Sequence, residues 1–166
     1  TGASFHLGPA NLSESFAWSC EACPGVSPVI DAQGQVHCLL VEKEILVTLR
    51  PDGSKRHTVP LPKCVAIPGL QGNSLYTASR NGDVVAVNTD SGEVEWNAKF
   101  AAACSDDPWA VLALENVLIL AGRESVANEV DRWNDTVFAL GIKSREVLWK
   151  FKTDTYMMYF MAAALE

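Results

Sequence analysis

The hydrophobic pattern of this chain consists of short apolar runs separated by clusters of turn-forming residues. The runs are rich in Val, Leu and Ile, which favour strands: VHCLLVE, ILVTL, SLYTAS, DVVAV, VLILAG and TVFAL. Between them lie AQG, PDG, RNG and DSG, and such pairs favour hairpins because Asn, Asp and Gly tolerate positive φ. No segment keeps a helical apolar period for three turns, and one helix through 109–122 is disfavoured by its β-rich flanks. The pattern predicts an all-β protein.

A turn followed by a ring recurs along the chain at a fixed interval. Gly53 and Gly92 are 39 residues apart, and each precedes a ring, His57 or Trp96, by four residues. Trp18 lies a further 39 residues before His57. A sandwich or an ordinary barrel gives no reason for the same turn and ring to return at this interval. A repeat length of about 40 residues instead matches one four-stranded propeller blade.

The third repeat is longer than the second. Trp149 lies 53 residues after Trp96. In the second repeat, two strands are joined through a tight turn in ASRNGDVVAV, whereas the corresponding strands of the third are joined through a long polar loop in AGRESVANEVDRWNDTVFAL. Insertions into repeats fall in loops, so the extra length is assigned to an inserted loop at 123–135.

The repeats predict a β-propeller of four-stranded antiparallel blades, with about three and a half blades in this chain. The predicted units are an N-terminal segment ending in a closing outer strand (1–25), blade one (26–63), blade two (64–103), blade three (104–154) and the first strand of a further blade (155–166). A row of blades leaves strand edges and apolar faces open at both ends. We therefore expect these residues to be part of a longer protein, or to be covered by partners.

The second repeat, AVNTDSGEVEW, resembles the signature A-x-D-x-x-T-G-x-x-x-W of quinoprotein-like propellers, also called PQQ-like repeats. Ala86, Gly92 and Trp96 match this signature, and Asn88 stands for Asp. The third repeat, ALGIKSREVLW, keeps Ala139 and Trp149 but has Gly141 for Asp and Arg145 for Gly. The first repeat, VTLRPDGSKRH, keeps Gly53 and has His57 in place of Trp. The resemblance extends over nearly the whole chain.

The motif residues are expected to hold adjacent blades together rather than to carry chemistry. A small first residue lets a ring lie flat on the strand, Asn or Asp accepts hydrogen bonds in the turn, and Gly supplies positive φ. The final Trp buries a large apolar ring, which in the resembling family docks between blades. The predicted blade-docking residues are Trp18, Gly53, Ala86, Asn88, Gly92, Trp96, Ala139 and Trp149.

Composition and charge exclude several classes of partner. The net charge is −7, and the 13 Lys and Arg residues are scattered along the chain. The basic footprint of a nucleic-acid-binding protein is therefore missing, as is a polybasic patch for a membrane surface. No apolar stretch reaches the length that spans a bilayer.

The cysteines do not form a zinc pattern. There are five, so they cannot all pair within the chain, and Cys20 and Cys23 form a lone CxxC. A structural zinc site needs four ligands, and no second pair follows. We expect mainly buried thiols, and leave a local disulfide open. The sequons at Asn11 and Asn134 arise easily by chance and carry no prediction.

The favoured function is a non-catalytic propeller that acts as a protein-interaction or structural accessory subunit of a larger assembly, without a cofactor. Propellers offer broad rigid surfaces, but a fold alone does not fix a function. What varies between the repeats is chiefly the loop 123–135. Its aromatic and charged residues are the candidate partner contacts: Arg123, Asp131, Arg132 and Trp133.

Two alternatives follow from the resemblance. The first is a quinone-dependent dehydrogenase, because enzymes of that family hold a quinone and a calcium ion on the propeller axis. Asp106 and Asp107 are the adjacent acids that such a site would use, although the adjacent cysteine pair typical of those enzymes does not occur here. The second is an accessory subunit of an envelope or photosynthetic membrane complex, in a periplasm-like or organelle-lumenal compartment.

Overall fold

A computed structural model describes residues 25–107, 109–125 and 133–153. Within these ranges the chain forms twelve strands, arranged as three separate four-stranded antiparallel sheets, and one short 3-10 turn at Val41–Lys43. The prediction of an all-β fold of four-stranded antiparallel units is confirmed. The closing outer strand predicted within 1–25, together with Trp18, lies outside the described residues, as does the strand predicted at 155–166.

Each sheet is a meander in which consecutive strands are neighbours. The first sheet contains β1 (Val29–Ile30), β2 (Val36–Leu40), β3 (Ile45–Leu49) and β4 (Lys55–Pro60). The second contains β5 (Gly69–Gln71), β6 (Ser74–Ala78), β7 (Asp83–Asn88) and β8 (Val94–Lys99). The third contains β9 (Leu112–Ala113), β10 (Val117–Gly122), β11 (Thr136–Gly141) and β12 (Val147–Lys152).

The hydrophobic core lies between the sheets rather than within any one of them. Alternate residues of a strand point to opposite faces, so a sheet with apolar residues at successive positions can pack on both sides. One buried cluster joins the first sheet to the second and contains Leu39, Leu46, Val59, Leu75, Val85 and Val87. A larger cluster joins the second to the third and contains Tyr76, Val84, Ala86, Leu118, Leu120, Phe138 and Leu140. Burial of these side chains drives the sheets to stack face to face.

Backbone hydrogen bonds also connect the second sheet to the third. The Ile67 amide donates to the Trp109 carbonyl at 2.7 Å, and the Val111 amide donates to the Ile67 carbonyl at 3.0 Å. Trp109 itself is fully buried in the larger cluster. The segments that lead into β5 and β9 therefore hold the first strands of the second and third sheets against each other.

The predicted inserted loop occupies the connection between β10 and β11. Residues 123–135 separate these strands, whereas only 79–82 separate β6 from β7 in the second sheet. Within 123–135, the structure describes 123–125 and 133–135.

Candidate functional site

The last hairpins of the second and third sheets have the same turn. In the second sheet the Gly92 amide donates to the Asn88 carbonyl at 2.9 Å, and in the third the Arg145 amide donates to the Gly141 carbonyl at 2.8 Å. Gly92 has φ of 74° and Arg145 has φ of 59°, so both adopt the left-handed conformation. Arg145 thus occupies the position of the motif glycine, although a side chain there costs about 1 kcal/mol or more.

The corresponding hairpin of the first sheet is one residue shorter. The Gly53 amide donates to the Arg50 carbonyl three residues before it, rather than four. As a result His57 pairs across the strands with Thr48, as Trp96 pairs with Ala86 in the second sheet. The small first residue of the motif is therefore replaced by Thr48, and not by Val47, the first residue of the repeat VTLRPDGSKRH.

In each sheet, the motif ring is the last residue of a cross-strand row of three residues. We call the face of the sheet that carries this row its forward face. The rows follow from the strand registers. They are His37, Thr48 and His57 in the first sheet, Tyr76, Ala86 and Trp96 in the second, and Ile119, Ala139 and Trp149 in the third. Ala86 and Ala139 are fully buried.

At the contact between the first and second sheets, the His57 ring lies directly on Gly92. A methyl group added at Gly92 would come within 2.8 Å of His57 Cγ. The adjacent Arg56 donates to the Asp90 carbonyl at 2.9 Å and lies 3.6 Å from its carboxylate. Burial lowers the pKa of His57, and electrostatic interactions with Arg56, His37 and Arg50 lower it further. The ring that replaces Trp at this contact is thus favoured in its neutral form.

A buried polar network lies behind this contact. His37 Nδ1 is 3.0 Å from Thr48 Oγ1, and His37 Nε2 is 3.0 Å from Asp31 Oδ2. Burial by itself would raise the pKa of Asp31, but hydrogen bonds from Gln35 and His37 outweigh it and the pKa is lowered. The set Thr–His–Asp resembles a catalytic triad with Thr in place of Ser, but the two ring nitrogens are exchanged, since Nδ1 faces the hydroxyl and Nε2 faces the carboxylate. His37 and Thr48 are both fully buried, however, so no substrate can reach the hydroxyl and the network is structural.

At the contact between the second and third sheets, Arg145 covers the motif tryptophan. Its guanidinium carbon lies 5.6 Å from the centroid of the Trp96 ring, a cation–π distance. On the same forward face, the ring of Tyr76 lies 5.8 Å from that of Trp96 at an interplanar angle of 47°. The sequence presents Arg145 only as a departure from the motif. Its position identifies it as the residue that covers the ring.

The forward face of the third sheet is exposed. Trp149 is 50% exposed and Phe151, two residues further along β12, is 63% exposed. Val147 and Leu148 are also exposed, as is every residue of β12. Large apolar side chains on one strand of a folded protein indicate an interaction surface.

The base of the inserted loop is held in place on the third sheet. Asn134 is buried, and its Oδ1 accepts a hydrogen bond from the Ser105 amide at 2.8 Å. Glu124 pairs with Lys150, and the Asp135 carboxylate lies 3.6 Å from Lys152 Nζ, so both ends of the loop are tied to β12.

The candidate partner contacts in this loop differ in burial. Trp133 is 45% exposed, whereas Arg123 is partly buried, and its backbone pairs with that of Ala103. Asp131 and Arg132 lie outside the described residues. Burial of the Asn134 side chain leaves its sequon closed to modification in the folded protein.

The adjacent acids do not build a calcium site. Asp106 pairs with Arg80 at 2.6 Å, and the Asp107 carboxylate accepts a hydrogen bond from Ser105 at 2.9 Å. Calcium takes six to eight oxygen ligands at one point. Within the described ranges, no group of three or more His, Cys, Asp or Glu residues is placed to hold a metal ion. Asp106 and Asp107, each held by another side chain, therefore do not form the pair of calcium ligands that the dehydrogenase alternative assigns to them.

The described cysteines are buried: Cys38, Cys64 and Cys104. Burial raises the pKa of Cys64 and of Cys104 to about 12. Cys20 and Cys23 lie outside the described residues. In the part of the chain that the structure covers, no helix has the length and hydrophobicity needed to cross a membrane.

Solved structures with the same fold come from several bacteria. BamB from Moraxella catarrhalis has 17% sequence identity and a TM-score of 0.61, with 86% of this chain matched to 42% of that one. Hydrazine synthase from Kuenenia stuttgartiensis has 11% identity and a TM-score of 0.63, with 78% of this chain matched to 36% of that one. Apo AztD from Citrobacter koseri has 8% identity and a TM-score of 0.60, with 85% of this chain matched to 39% of that one. At these identities the likeness is one of fold alone.

The chain spans about two fifths of the length of these structures. No curated protein sequence matches it significantly. The sequence profile of the PQQ_2 family, described as outer membrane protein assembly factor BamB, matches residues 42–164, which is most of the chain. The predicted PQQ-like repeat is confirmed, and this chain belongs to the PQQ_2 family of BamB-like β-propellers.

Proposed function

We propose that this chain is a non-catalytic PQQ-like propeller that serves as a protein-interaction or structural accessory subunit of a larger assembly. The observation that carries the proposal is Trp133, an indole 45% exposed at the end of the inserted loop. Exposed tryptophans are favoured anchors of protein interfaces because one ring buries a large area at low entropic cost.

The surroundings of Trp133 support this role. The next residue, Asn134, is buried and holds the Ser105 amide, while the following one, Asp135, accepts a 2.7 Å hydrogen bond from the Thr153 amide. An exposed ring on a fixed base loses little freedom when it binds, which favours affinity. The remaining candidate contacts, Arg123, Asp131 and Arg132, belong to the same loop and would add polar contacts to the partner.

The family description gives the proposal a setting. BamB is described as an outer membrane protein assembly factor. By analogy, we place this chain in a membrane-associated complex of an envelope, in a periplasm-like compartment, with protein subunits as partners. An organelle lumen, as part of a photosynthetic membrane complex, is the second setting.

The test is isolation of the native complex with three forms of the tagged protein: wild type, Trp133→Ser and Ile30→Ser. Ile30 is 66% exposed on the first sheet and serves as the matched control for loss of an exposed apolar side chain. We expect a stoichiometric partner with wild type and Ile30→Ser, and a loss of at least about tenfold in its recovery with Trp133→Ser, as for an interface anchor.

Two results would contradict the proposal. One is recovery of the partner that is equal for all three forms, which would remove Trp133 from the interface. The other is stoichiometric quinone and calcium in the purified protein, detected by absorbance after denaturation and by metal analysis. That result would favour the dehydrogenase alternative.

A further inference from the structure

The inserted loop of the third sheet and the short turn of the second are equivalent connections. Residues 123–135 join β10 to β11 and residues 79–82 join β6 to β7, so each is the middle connection of its meander. Arg123 and Arg80 are equivalent within them, since each donates its backbone amide at 2.9 Å to the segment that enters its own sheet. The candidate partner contact Arg123 therefore has a counterpart on the second sheet, which the repeat signature does not mark.

Arg80 lies close to the exposed tryptophan of the inserted loop. Its guanidinium contacts Asp106 Oδ2 at 2.6 Å. Asp106 follows Ser105, whose amide donates to Asn134 Oδ1 at 2.8 Å, and Asn134 follows Trp133. Asp106 and Trp133 are thus each one residue away from the same hydrogen bond. The ion pair and the indole therefore belong to one surface, at the same end of two adjacent sheets.

The guanidinium of Arg80 is oriented, but most of its donors are not used within the protein. The side chains of Arg80 and Asp106 are both 51% exposed. Among the residues that the structure describes, the Asp106 carboxylate is the one group in contact with this guanidinium. A guanidinium has five N–H donors in a fixed plane and binds carboxylates through two of them at once. The contact with Asp106 fixes the plane and leaves donors for a second carboxylate.

Two more cations lie at the same turn, although they are distant from it in the sequence. The Arg80 amide donates to the Lys63 carbonyl, and Lys99 Nζ donates to a carbonyl of the turn itself. Each lysine also faces one carboxylate: Glu42 lies 3.4 Å from Lys63, and Asp83 is opposite Lys99 across the strands. The Glu42 side chain is 86% exposed, and such exposed pairs contribute little. Around Arg80, neighbouring cations favour a carboxylate over a cation as the group that a partner presents.

We propose that Arg80 is a second anchor of the interface at Trp133, and that the partner is a protein segment with a carboxylate beside an apolar side chain. The carboxylate binds the guanidinium, and the apolar side chain packs on the indole. Asp106 is a positioning residue, because it acts through the guanidinium. Tryptophan and arginine are enriched among interface anchors, and an anchor that is already oriented loses little freedom on binding. This inference rests on the proposed function, since it needs a partner at Trp133.

The first experiment is zero-length cross-linking of the native complex. Arg80→Lys together with Asp106→Asn keeps the positive charge, places an amine at this anchor and removes its internal carboxylate. A carbodiimide activates a carboxylate of the partner, and the amine then attacks that carbon. An amide bond forms, and the carboxylate oxygen leaves in the urea derived from the carbodiimide. Mass spectrometry identifies the joined peptides. Arg50→Lys is the matched control, at an exposed position in the turn between β3 and β4.

We expect the amine at position 80 to be joined to an Asp or Glu of the partner next to an apolar residue, and the control to give no such product. Arg80→Glu should lower recovery of the partner at least about tenfold, as for an interface anchor, and Arg50→Glu by less than about twofold. Arg80→Asp with Asp106→Arg keeps an internal ion pair and should lose the partner as Arg80→Glu does. Melting temperatures close to that of the wild type show that the variants fold.

Recovery of the partner that is unchanged by Arg80→Glu but lost with Trp133→Ser would overturn this inference and leave the proposed function standing. Recovery unchanged by both would overturn the proposed function as well. Loss with Arg80→Glu alone would mean that the two residues do not share an interface. A complex that forms but joins no partner carboxylate at position 80 would also contradict the inference. So would a loss with Asp106→Asn and none with Arg80→Glu, because the partner would then present a cation.

Discussion

Arg145 covers Trp96 across the contact between the second and third sheets, with its guanidinium carbon 5.6 Å from the ring centroid, while its own backbone is held at φ of 59°. Arg145 therefore makes two opposing contributions to the stability of the fold. The cation–π contact stabilises the protein by about 0.5–1 kcal/mol at a partly exposed site. The left-handed backbone costs about 1–2 kcal/mol for any residue with a Cβ.

Two substitutions at Arg145 separate these contributions. Arg145→Ala keeps the strained backbone and loses the contact, so we expect the free energy of unfolding to fall by about 0.5–1 kcal/mol. Arg145→Gly loses the same contact but relieves the backbone, so its free energy of unfolding should lie about 1 kcal/mol above that of Arg145→Ala. Urea denaturation measures both. If the glycine variant is the less stable of the two, the left-handed backbone at this position carries no strain that glycine relieves.

Gly92 should be intolerant of a side chain because of the ring that lies on it. Gly72→Ala is the matched control: Gly72 also has a positive φ, of 59°, but no atom lies within 4 Å of a Cβ added there. Backbone strain alone should cost Gly72→Ala about 1 kcal/mol. Gly92→Ala adds a clash with the His57 ring, and overpacking costs a further 1–3 kcal/mol or so. Equal losses for the two variants in urea denaturation would mean that His57 moves aside freely.

The repeat could be predicted from the sequence because the glycine and the ring keep their spacing. The missing residue of the first hairpin could not be predicted, since it precedes Gly53 and leaves the interval from Gly53 to His57 unchanged. The alignment therefore gave no sign that Thr48 faces the ring. Spacing also cannot show which residue has a positive φ. In the sequence, Arg145 therefore looked like the loss of the motif glycine, whereas in the structure it takes the left-handed conformation of that glycine.

The network around His37 was not predictable for a different reason. Asp31, His37 and Thr48 come from a turn and two strands, and only the strand register brings their side chains together. A polar residue within an apolar run gives no such information by itself. The exposed Trp149 was likewise expected to be a docking residue, but how much of it is exposed depends on which sheets are stacked on it.

Stability should fall on acidification because of His57. Its pKa is lowered in the folded state, first by burial and then by electrostatic interactions with Arg56, His37 and Arg50, so the unfolded chain binds the proton more readily. The contribution of the neutral His57 ring to the free energy of unfolding is complete above the ordinary pKa of 6.5. It is lost as the pH falls through 6.5 toward the lower pKa of the folded state.

His57→Phe keeps a flat ring on Gly92 and removes the titration. We expect urea midpoints measured between about pH 5 and pH 8 to depend less on pH in this variant than in the wild type. Arg56→Gln should raise the pKa of His57, as followed by NMR, because one of the positive charges is gone. An unchanged pH dependence in His57→Phe would assign the acid sensitivity to other groups.

The base of the inserted loop should depend on Asn134. Its buried Oδ1 accepts the Ser105 amide at 2.8 Å, so Asn134→Ala leaves a buried donor without its acceptor and should lower the free energy of unfolding by about 1–3 kcal/mol. Asn116→Ala, at an exposed position before β10, is the control and should change it by less than about 0.5 kcal/mol. Hydrogen exchange at Ser105 should rise in the first variant alone. If Asn134→Ala is as stable as Asn116→Ala, water replaces the acceptor, and the display of Trp133 does not rest on this hydrogen bond.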